Sequence, residues 1–164
     1  MRHIIDKAEE VLDEFGGRDI FETAENSDVK VWRRTLGGLK GFYICENGCR
    51  YIVINEDLDS VTAAVVCAHE LGHDMLHREL SAGGIRENTL FLNSNKTERE
   101  ANLFAACVLI SDKTILGELS YCSSIDELAA TLGFPREIVE YKLEALNYKG
   151  HKFNIGEIRN NFLK

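Results

Sequence analysis

The spacing of apolar side chains predicts a helix at the start of the chain. Over residues 3–15 the apolar positions recur every three or four residues, and charged side chains fill the opposite face. Gly16 and Gly17 end this pattern. A weaker helical pattern follows from Asp19 to Glu25. The chain is therefore expected to begin with an amphipathic helix that buries one face, followed by a shorter helix.

A β-rich segment follows the first helices. Residues 29–33 alternate between apolar and polar side chains, and two further β-rich runs cover residues 42–45 and 50–54. An Asn47-Gly48 pair separates the last two runs and is a strong signal for a two-residue hairpin turn. The pattern predicts a small three-stranded antiparallel β-meander.

Two largely apolar helices are predicted after the meander. The segment from Val61 to His77 is rich in Ala, Val and Leu, and its apolar residues cover nearly the whole surface, so it should be buried. Residues 79–96 are polar, contain glycine and are interpreted as a loop with room for one short strand. A second helix is predicted from Thr97 to Ile110, where Thr97 and Glu100 match a capping box.

The last third of the chain is predicted to be helical. Ser124 and Glu127 match another capping box and open a helix that ends before Gly133. A helix over residues 136–146 follows, so the layout resembles a helix-turn-helix. Its five acidic and two basic side chains disfavour contact with phosphate. This part is therefore interpreted as a packing unit or a protein-binding surface.

These elements predict an α+β fold. The meander packs on the helix over residues 61–77, the helix over residues 97–110 lies beside it, and helices fill the C-terminal part. We divide the chain into a domain over residues 1–120 and a helical subdomain over residues 121–164 packed on it. A chain of 164 residues is long enough to bury such a core.

Composition and charge narrow the possible functions. A net charge of −8 disfavours non-specific nucleic-acid binding. No apolar run approaches the roughly 20 residues that span a bilayer, and the N-terminus lacks the apolar segment of a signal peptide. The five cysteines are scattered, as is typical of free thiols in a reducing compartment. We therefore expect a cytoplasmic protein with no direct nucleic-acid or membrane partner.

The buried helix over residues 61–77 carries the motif His69-Glu70-Leu71-Gly72-His73. On a helix, residues four apart share a face, so both imidazoles can bind one metal ion. Glu70 is rotated by about 100° from them and can act as a general base on water. His77 follows His73 by four residues, but the helical rotation over eight residues places it about 80° from His69. We therefore expect it outside the ligand set. Asp74 is interpreted as a solvated helix residue.

Two other interpretations of the motif stay open. The histidines could be hydrogen-bonded side chains of an ordinary buried helix. The site could also hold a structural zinc ion without turnover. Structural zinc usually has four protein ligands and prefers cysteine, and no cysteine of this chain has a suitable spacing from the motif. A catalytic site instead needs a third protein ligand and one open position.

The helix over residues 97–110 offers two glutamates as that third ligand. Glu98 shares a face with Asn102, which suits a ligand with a polar partner one turn away. Glu100 points about 200° away from Glu98 and has another explanation in the capping box. Ala101 and Ala105 are small enough to let two helices approach closely. We therefore predict Glu98 as the ligand, with Glu100 as the alternative.

The motif HELGH followed by EREANLFAACVL resembles the ImmA/IrrE family of zinc metallopeptidases, of the gluzincin type. The order of elements upstream is also similar, and the resemblance covers about residues 4–110. It implies that His69, His73 and Glu98 bind Zn²⁺, that Asn102 occupies an Asp/Asn position of the family motif, and that Glu70 is the catalytic glutamate. The chain has Ile110-Ser111-Asp112 where members often have Met-Pro, which should alter only the helix end.

Members of this family are commonly encoded beside a helix-turn-helix repressor on mobile elements or in stress-response loci. The best-known members cleave that repressor. The resemblance thus implies a cytoplasmic zinc metallopeptidase that relieves transcriptional repression, with the repressor as substrate or partner. An extended substrate is expected to add to an edge strand of the sheet. The alternative is a regulatory protein that binds and sequesters a repressor without cleaving it, and only cleavage requires Glu70.

Overall fold

A computed structural model of the protein describes residues 1–17, 19–81 and 95–153. Within these residues seven helices and a three-stranded sheet confirm the predicted α+β class. In chain order the elements are α1 (Arg2–Phe15), α2 (Ile20–Asn26), β1 (Val29–Arg34), β2 (Gly41–Glu46), β3 (Cys49–Asn55), α3 (Ser60–Ser81), α4 (Asn95–Leu109), α5 (Asp112–Glu118), α6 (Ile125–Leu132) and α7 (Arg136–Tyr148).

The first two helices form as the sequence predicts. Helix α1 buries one face, which consists of Ile4, Ile5, Ala8 and Val11. Helix α2 begins after Asp19, whose side chain accepts a hydrogen bond of 2.9 Å from the main-chain N–H of Glu22. An N-cap acceptor of this kind satisfies one of the donors that a helix leaves open at its first turn. The cap therefore stabilises the start of a helix whose apolar pattern is weak.

The sheet is mixed, and the predicted antiparallel meander is wrong for its first strand. The strand order is β1-β3-β2, with β2 antiparallel to β3 and β1 parallel to it, so that Val29 lies opposite Arg50. The hairpin turn at Asn47 and Gly48 forms as predicted, with φ of 50° and 77°. Strand β3 takes the central place because its Ile52-Val53-Ile54 run is apolar and buried on both faces.

Helix α3 packs on one face of the sheet, and α4 packs on α3. Two clusters of buried apolar side chains result. The first lies between the sheet, α1, α2, α3 and α4 and includes Leu103 and Phe104, whereas the second lies between α4 and the C-terminal helices and includes Ala106 and Ile110. Helix α4 therefore contributes to both clusters. The predicted division of the chain at residue 120 stays a prediction.

Three helix starts in the C-terminal half refine the predictions. Helix α4 begins at Asn95, so Thr97 lies inside its first turn and not at the N-cap that the predicted capping box requires. Helix α5 was not predicted, although Ser111 caps it by accepting the N–H of Thr114 at 3.0 Å. Ser124 caps α6 as expected, by accepting the N–H of Glu127. Most of the loop predicted over 79–96 lies outside the described residues.

In the parts of the chain that the structure describes, no helix combines the length and apolar character needed to cross a membrane. The five cysteines are free thiols, as their scattered positions suggest.

Candidate metal centre

The site depends on the close approach of α3 and α4 at Gly72. A Cβ atom placed on Gly72 would lie 3.1 Å from the Cα atom and 3.2 Å from the carbonyl oxygen of Ala101. Both distances are shorter than ordinary van der Waals contact, so a larger side chain would push the helices apart. Ala101, which was expected to let two helices approach closely, thus lies at their contact. This contact brings the first turn of α4 over the face of α3 that carries His69 and His73.

The structure brings the predicted donors His69, His73 and Glu98 together. The Nε2 atom of His69 lies 3.2 Å from one carboxylate oxygen of Glu98, and the Nε2 atom of His73 lies 3.3 Å from the other. The two Nε2 atoms are 3.0 Å apart. Tetrahedral ligands about 2.0–2.1 Å from a zinc ion lie about 3.3 Å from one another. The spacing and chemistry of this donor set therefore fit a zinc ion, and these three residues could hold one.

Hydrogen bonding orients the first of these rings. The Nδ1 atom of His69 lies 2.9 Å from the side-chain oxygen of Asn102. Because an amide oxygen can only accept, the His69 Nδ1–H donates to it, which turns Nε2 towards Glu98. Asn102 and Glu98 lie one turn apart on α4, and both contact His69. This agrees with the prediction that the two residues share one face of the helix. His73 is 6% exposed, and its Nδ1 atom has no hydrogen-bond partner among the described residues.

The charges of the donor set favour a bound cation. Hydrogen bonds from His69 and then from His73 hold the pKa of the Glu98 carboxyl well below its usual range. Burial opposes protonation of His69, but the hydrogen bond to Glu98 and the charge of Glu70 outweigh it, and the pKa of His69 is raised. Glu98 is therefore ionised across the physiological pH range, and both imidazoles lie in its negative field.

Glu70 lies between α3 and strand β2. Burial raises the pKa of Glu70, whereas the nearby imidazoles of His69 and His73 and, to a smaller extent, the main-chain N–H of Tyr43 on β2 lower it. A carboxylate with a raised pKa suits a group that takes up and releases a proton. Glu70 is therefore placed beside the donor set without being one of its three members.

The residue after His73 has a partner set that the sequence analysis missed. Asp74 is fully buried, so its interpretation as a solvated residue is wrong. Its carboxylate accepts hydrogen bonds from the hydroxyl of Tyr43 at 2.6 Å, from Nη1 of Arg50 at 2.8 Å and from Nε and Nη2 of Arg78 at 3.0 and 3.1 Å. This network ties β2 and β3 to the turn of α3 that carries His73. A charged residue inside an apolar helix was the available signal.

His77 and Glu100 form a separate pair beside the donor set. The Nε2 atom of His77 lies 3.4 Å from a carboxylate oxygen of Glu100, and the His77 ring centroid is 5.9 Å from that of His73. His77 has non-helical φ and ψ of −135° and 22°, which bend α3 after the motif. The structure thus brings Glu98, and not Glu100, to the two motif histidines. Glu100 instead contacts His77 and, at 3.9 Å, Lys96.

Two imidazoles and a carboxylate that converge from two packed helices, with a second carboxylate beside them, are typical of metal-dependent hydrolases. Residues 24–144 of the chain match the family model described as Peptidase_M78, the IrrE N-terminal-like domain. Because the match covers more than half of the chain, the protein belongs to this family, which places it among the metallopeptidases. The predicted resemblance to the ImmA/IrrE family is confirmed.

Two curated relatives agree with this assignment. The chain is 36% identical over 104 residues to "Uncharacterized immunity region protein 2" of Bacillus phage phi105, and the match covers 63% of this chain and 65% of the phage protein. It is 27% identical over 156 residues to "Metallopeptidase ImmA" of Bacillus subtilis (strain 168), covering 93% of this chain and 90% of the relative. The match thus spans slightly less than two thirds of the phage protein and most of ImmA.

Proposed function

We propose that this protein is a cytoplasmic zinc metalloendopeptidase that cleaves a helix-turn-helix transcriptional repressor. The observation that carries the proposal is the convergence of His69, His73 and Glu98, with Glu70 beside them, in a chain of the Peptidase_M78 family. The names of the relatives, an immunity region protein and ImmA, support a role on a mobile genetic element. Cleavage of the repressor would make the protein an anti-repressor.

In the proposed mechanism, the protein's own residues position a water molecule and transfer its proton. His69, His73 and Glu98 would hold the zinc ion, which when bound supplies a Lewis acid that activates water and polarises a peptide carbonyl. Glu70 takes a proton from the attacking water and later donates it to the leaving amine. The main-chain N–H of Tyr43, near the Glu70 carboxylate, favours its ionised form and so supports its role as the base. Asn102 keeps the His69 ring oriented, with Nε2 towards the donor set.

Strand β2 is the edge strand on which the proposal places an extended substrate. It pairs only with β3 among the strands of the described residues, and it packs directly on α3. A Cβ atom on Gly41 of β2 would lie 2.5 Å from the side chain of Val66, so β2 and α3 are in close contact. Because the Tyr43 N–H lies near enough to Glu70 to lower its pKa, β2 runs past the proposed general base. A peptide added to this edge would present its carbonyls there.

The test combines metal content with one substitution. Wild type and the Glu70→Gln variant are purified in the presence of zinc, and zinc per chain is measured. Each is then incubated with the helix-turn-helix protein encoded beside it, and products are examined by mass spectrometry. We expect comparable zinc in both proteins and a discrete cut only with wild type. Glu137→Gln, the same substitution at an exposed position of α7, is the matched control and should cut as wild type does.

Two results would contradict the proposal in different ways. Absence of zinc from wild type after zinc-replete purification would overturn the assignment of the metal centre. Zinc in both proteins with tight repressor binding but no cut, even when the native locus is supplied intact in cells, would instead establish the sequestering regulator. A cut made equally well by the Glu70→Gln variant would remove Glu70 from the mechanism.

A further inference from the structure

A row of aromatic and cationic side chains lies on the outer face of the sheet. Lys30, Trp32 and Arg34 alternate along β1, and Tyr51 of β3 lies opposite Lys30. The ring centroids of Trp32 and Tyr51 are 4.5 Å apart, the Lys30 ammonium lies 5.5 Å from the Tyr51 ring, and the Arg34 guanidinium lies 5.4 Å from the Trp32 ring. We call these four residues the β1 ladder.

The β1 ladder takes no part in the metal centre. Val29 and Val31, which alternate with Lys30 and Trp32 along β1, belong to the apolar cluster that packs between the sheet and α3. Successive residues of a strand face opposite sides, so the ladder lies on the side of the sheet away from the motif helix. Trp32 is nevertheless 44% exposed. An exposed group of Trp, Tyr and Arg has the composition of the residues that dominate binding energy at protein interfaces.

The charge of the ladder is opposite to that of the whole protein. The chain has a net charge of −8, but Lys30 and Arg34 on this face are cationic. Neither forms an ion pair with a carboxylate of the described residues. Arg33 faces the opposite side of the strand, over the ring of Phe21, and is not part of the ladder. Lys30 and Arg34 are therefore the cations of this face that an acidic ligand can reach.

The free edge of β1 has space for an extended chain. Strand β1 pairs only with β3 within the described residues. A cavity of about 220 Å³ runs along it, lined by Glu25 and by Asp28 to Trp32. Since these lining residues are consecutive, the cavity follows the edge of the strand and not one of its faces. Glu25 and Asp28 make its N-terminal end acidic, which disfavours a polyanion along its whole length and confines the acidic side chains of an occupant to the positions opposite Lys30 and Arg34.

We propose that β1 is a docking strand for an extended acidic segment of a partner protein. Lys30 and Arg34 are four residues apart, about 13 Å at about 3.3 Å per residue. A partner strand therefore matches the ladder when acidic residues at positions i and i+4 face the two cations. An apolar residue at i+2 then covers Trp32. Main-chain hydrogen bonds along the edge supply affinity, and these three side chains supply the preference for sequence.

The single tryptophan of the chain makes this proposal directly measurable, because Trp32 lies in the ladder itself. The Glu70→Gln protein, loaded with zinc, is titrated with the peptide Ser-Glu-Ser-Leu-Ser-Glu-Ser while Trp32 fluorescence is recorded. We expect a saturable blue shift that weakens as salt is raised. The peptide with lysine in place of both glutamates should give none. The readout requires no cleavage, so its outcome is independent of the proposed peptidase activity.

Substitutions in the ladder test its individual members. Lys30→Gln and Arg34→Gln should each weaken peptide binding by about threefold, because each removes one cross-strand charge pair. Trp32→Ala removes the fluorescent side chain, so the peptide affinity of this variant is measured by calorimetry. We expect that affinity to fall by at least about tenfold. Lys113→Gln removes an exposed cation of α5, outside the ladder, and should leave the affinity unchanged.

Several results would overturn the proposal. These are no saturable change with the acidic peptide, an equal response to the lysine peptide, or tighter binding of a single-stranded thymidine oligonucleotide, which would identify a nucleic-acid surface instead. A blue shift that grows with protein concentration alone, together with dimer formation in light scattering, would show that a second copy covers the ladder. All of these outcomes are measured with the ladder intact, so none depends on whether a ladder variant folds.

Discussion

At the residue scale, the metal centre depends on which glutamate of α4 faces the motif histidines. The carboxylate oxygens of Glu98 lie 3.2 and 3.3 Å from the Nε2 atoms of His69 and His73, whereas Glu100 contacts His77. The sequence predicted this choice through helix geometry, since residues two apart on a helix cannot face the same point. Confirmation that Glu98 binds the metal requires a measurement of metal content.

Glu98→Gln and Glu100→Gln are a matched pair for that measurement. Glu98→Gln removes the anionic ligand, so we expect zinc per chain to fall from about one to near zero after gel filtration. Glu100→Gln changes the same chemical group on the same helix and should keep its zinc. Metal content is determined by inductively coupled plasma mass spectrometry, with circular dichroism as the check on folding. Loss of zinc from Glu100→Gln alone would exchange the two assignments.

Asp74 gives a second prediction at this scale. Asp74→Asn removes the charge that Arg50 and Arg78 share, and among the described residues it leaves Arg50 only the exposed Asp28 carboxylate, at 3.6 Å, as an anionic partner. Breaking a buried ion pair in this way costs about 3–5 kcal/mol of unfolding free energy. Urea denaturation measures the loss. Asp6→Asn, which removes an exposed carboxylate 3.6 Å from Arg2, should cost at most about 1 kcal/mol, and equal losses in both variants would contradict the assigned role.

At the scale of elements, the contact between α3 and α4 sets the site. The two helices carry donors separated by 25 residues or more in sequence, and the Gly72–Ala101 contact fixes their spacing. Strand β2 also contributes, because the Tyr43 hydroxyl donates to Asp74, the residue after His73. The donors of the site are therefore positioned by packing between elements and not by any one element alone.

Gly72→Ala tests the helix contact. Its added Cβ would meet the backbone of Ala101 at 3.1 and 3.2 Å, so we expect a loss of about 1–3 kcal/mol in unfolding free energy. Zinc affinity should fall as Glu98 moves away from His69 and His73.

The control for this substitution is Gly117→Ala on α5. A Cβ there meets nothing within 4 Å, so the higher helix propensity of alanine should raise stability by up to about 1 kcal/mol. Thermal unfolding and a competitive zinc chelator measure the two quantities in both variants. A stabilised Gly72→Ala with unchanged zinc affinity would show that the two helices do not limit each other's approach.

At the scale of the whole molecule, ion pairs join the C-terminal helices to the rest. The Asp112 carboxylate lies 2.6 Å from the ammonium of the buried Lys142 on α7 and 2.7 Å from that of Lys149, and Lys149 also contacts Glu9 of α1 at 2.6 Å. These pairs link α1, α5 and α7 in one cluster. The family match over residues 24–144 likewise extends across this region.

This cluster gives the protein an acid-labile contribution to stability. Burial raises the pKa of Asp112, but hydrogen bonds from Lys142 and Lys149 outweigh it, and the net shift is downward. Because the folded pKa lies below the unfolded value of about 3.9, the contribution is present above pH ~4 and is lost as the pH falls further. Urea denaturation from pH 7 to pH 3 should show this loss in wild type and a smaller one in Asp112→Asn.

The control for the pH series is Asp6→Asn, whose carboxylate is exposed. It should follow the wild-type curve over the whole range. An Asp112→Asn curve parallel to that of wild type would assign the acid sensitivity to other carboxylates.

The sequence by itself determined the elements and the chemistry of the motif. The period of apolar residues predicted α1, α3 and α4, the Asn47-Gly48 pair predicted the hairpin, and residues four apart placed His69 and His73 on one face. These features are local, because they depend on the geometry of one element. The start of α4 and the whole of α5 were missed, since capping residues occur in several neighbouring positions.

Only the tertiary structure decided how these elements meet. The parallel pairing of β1 with β3 does not follow from the alternation of apolar and polar residues. That alternation predicts a strand but does not indicate which strand it pairs with. The burial of Asp74 depends on Tyr43 and Arg50, which lie 31 and 24 residues away in sequence. The exposed β1 ladder arises from the same pairing. Contacts of this kind depend on which surfaces pack together, and a single sequence specifies them only through the complete fold.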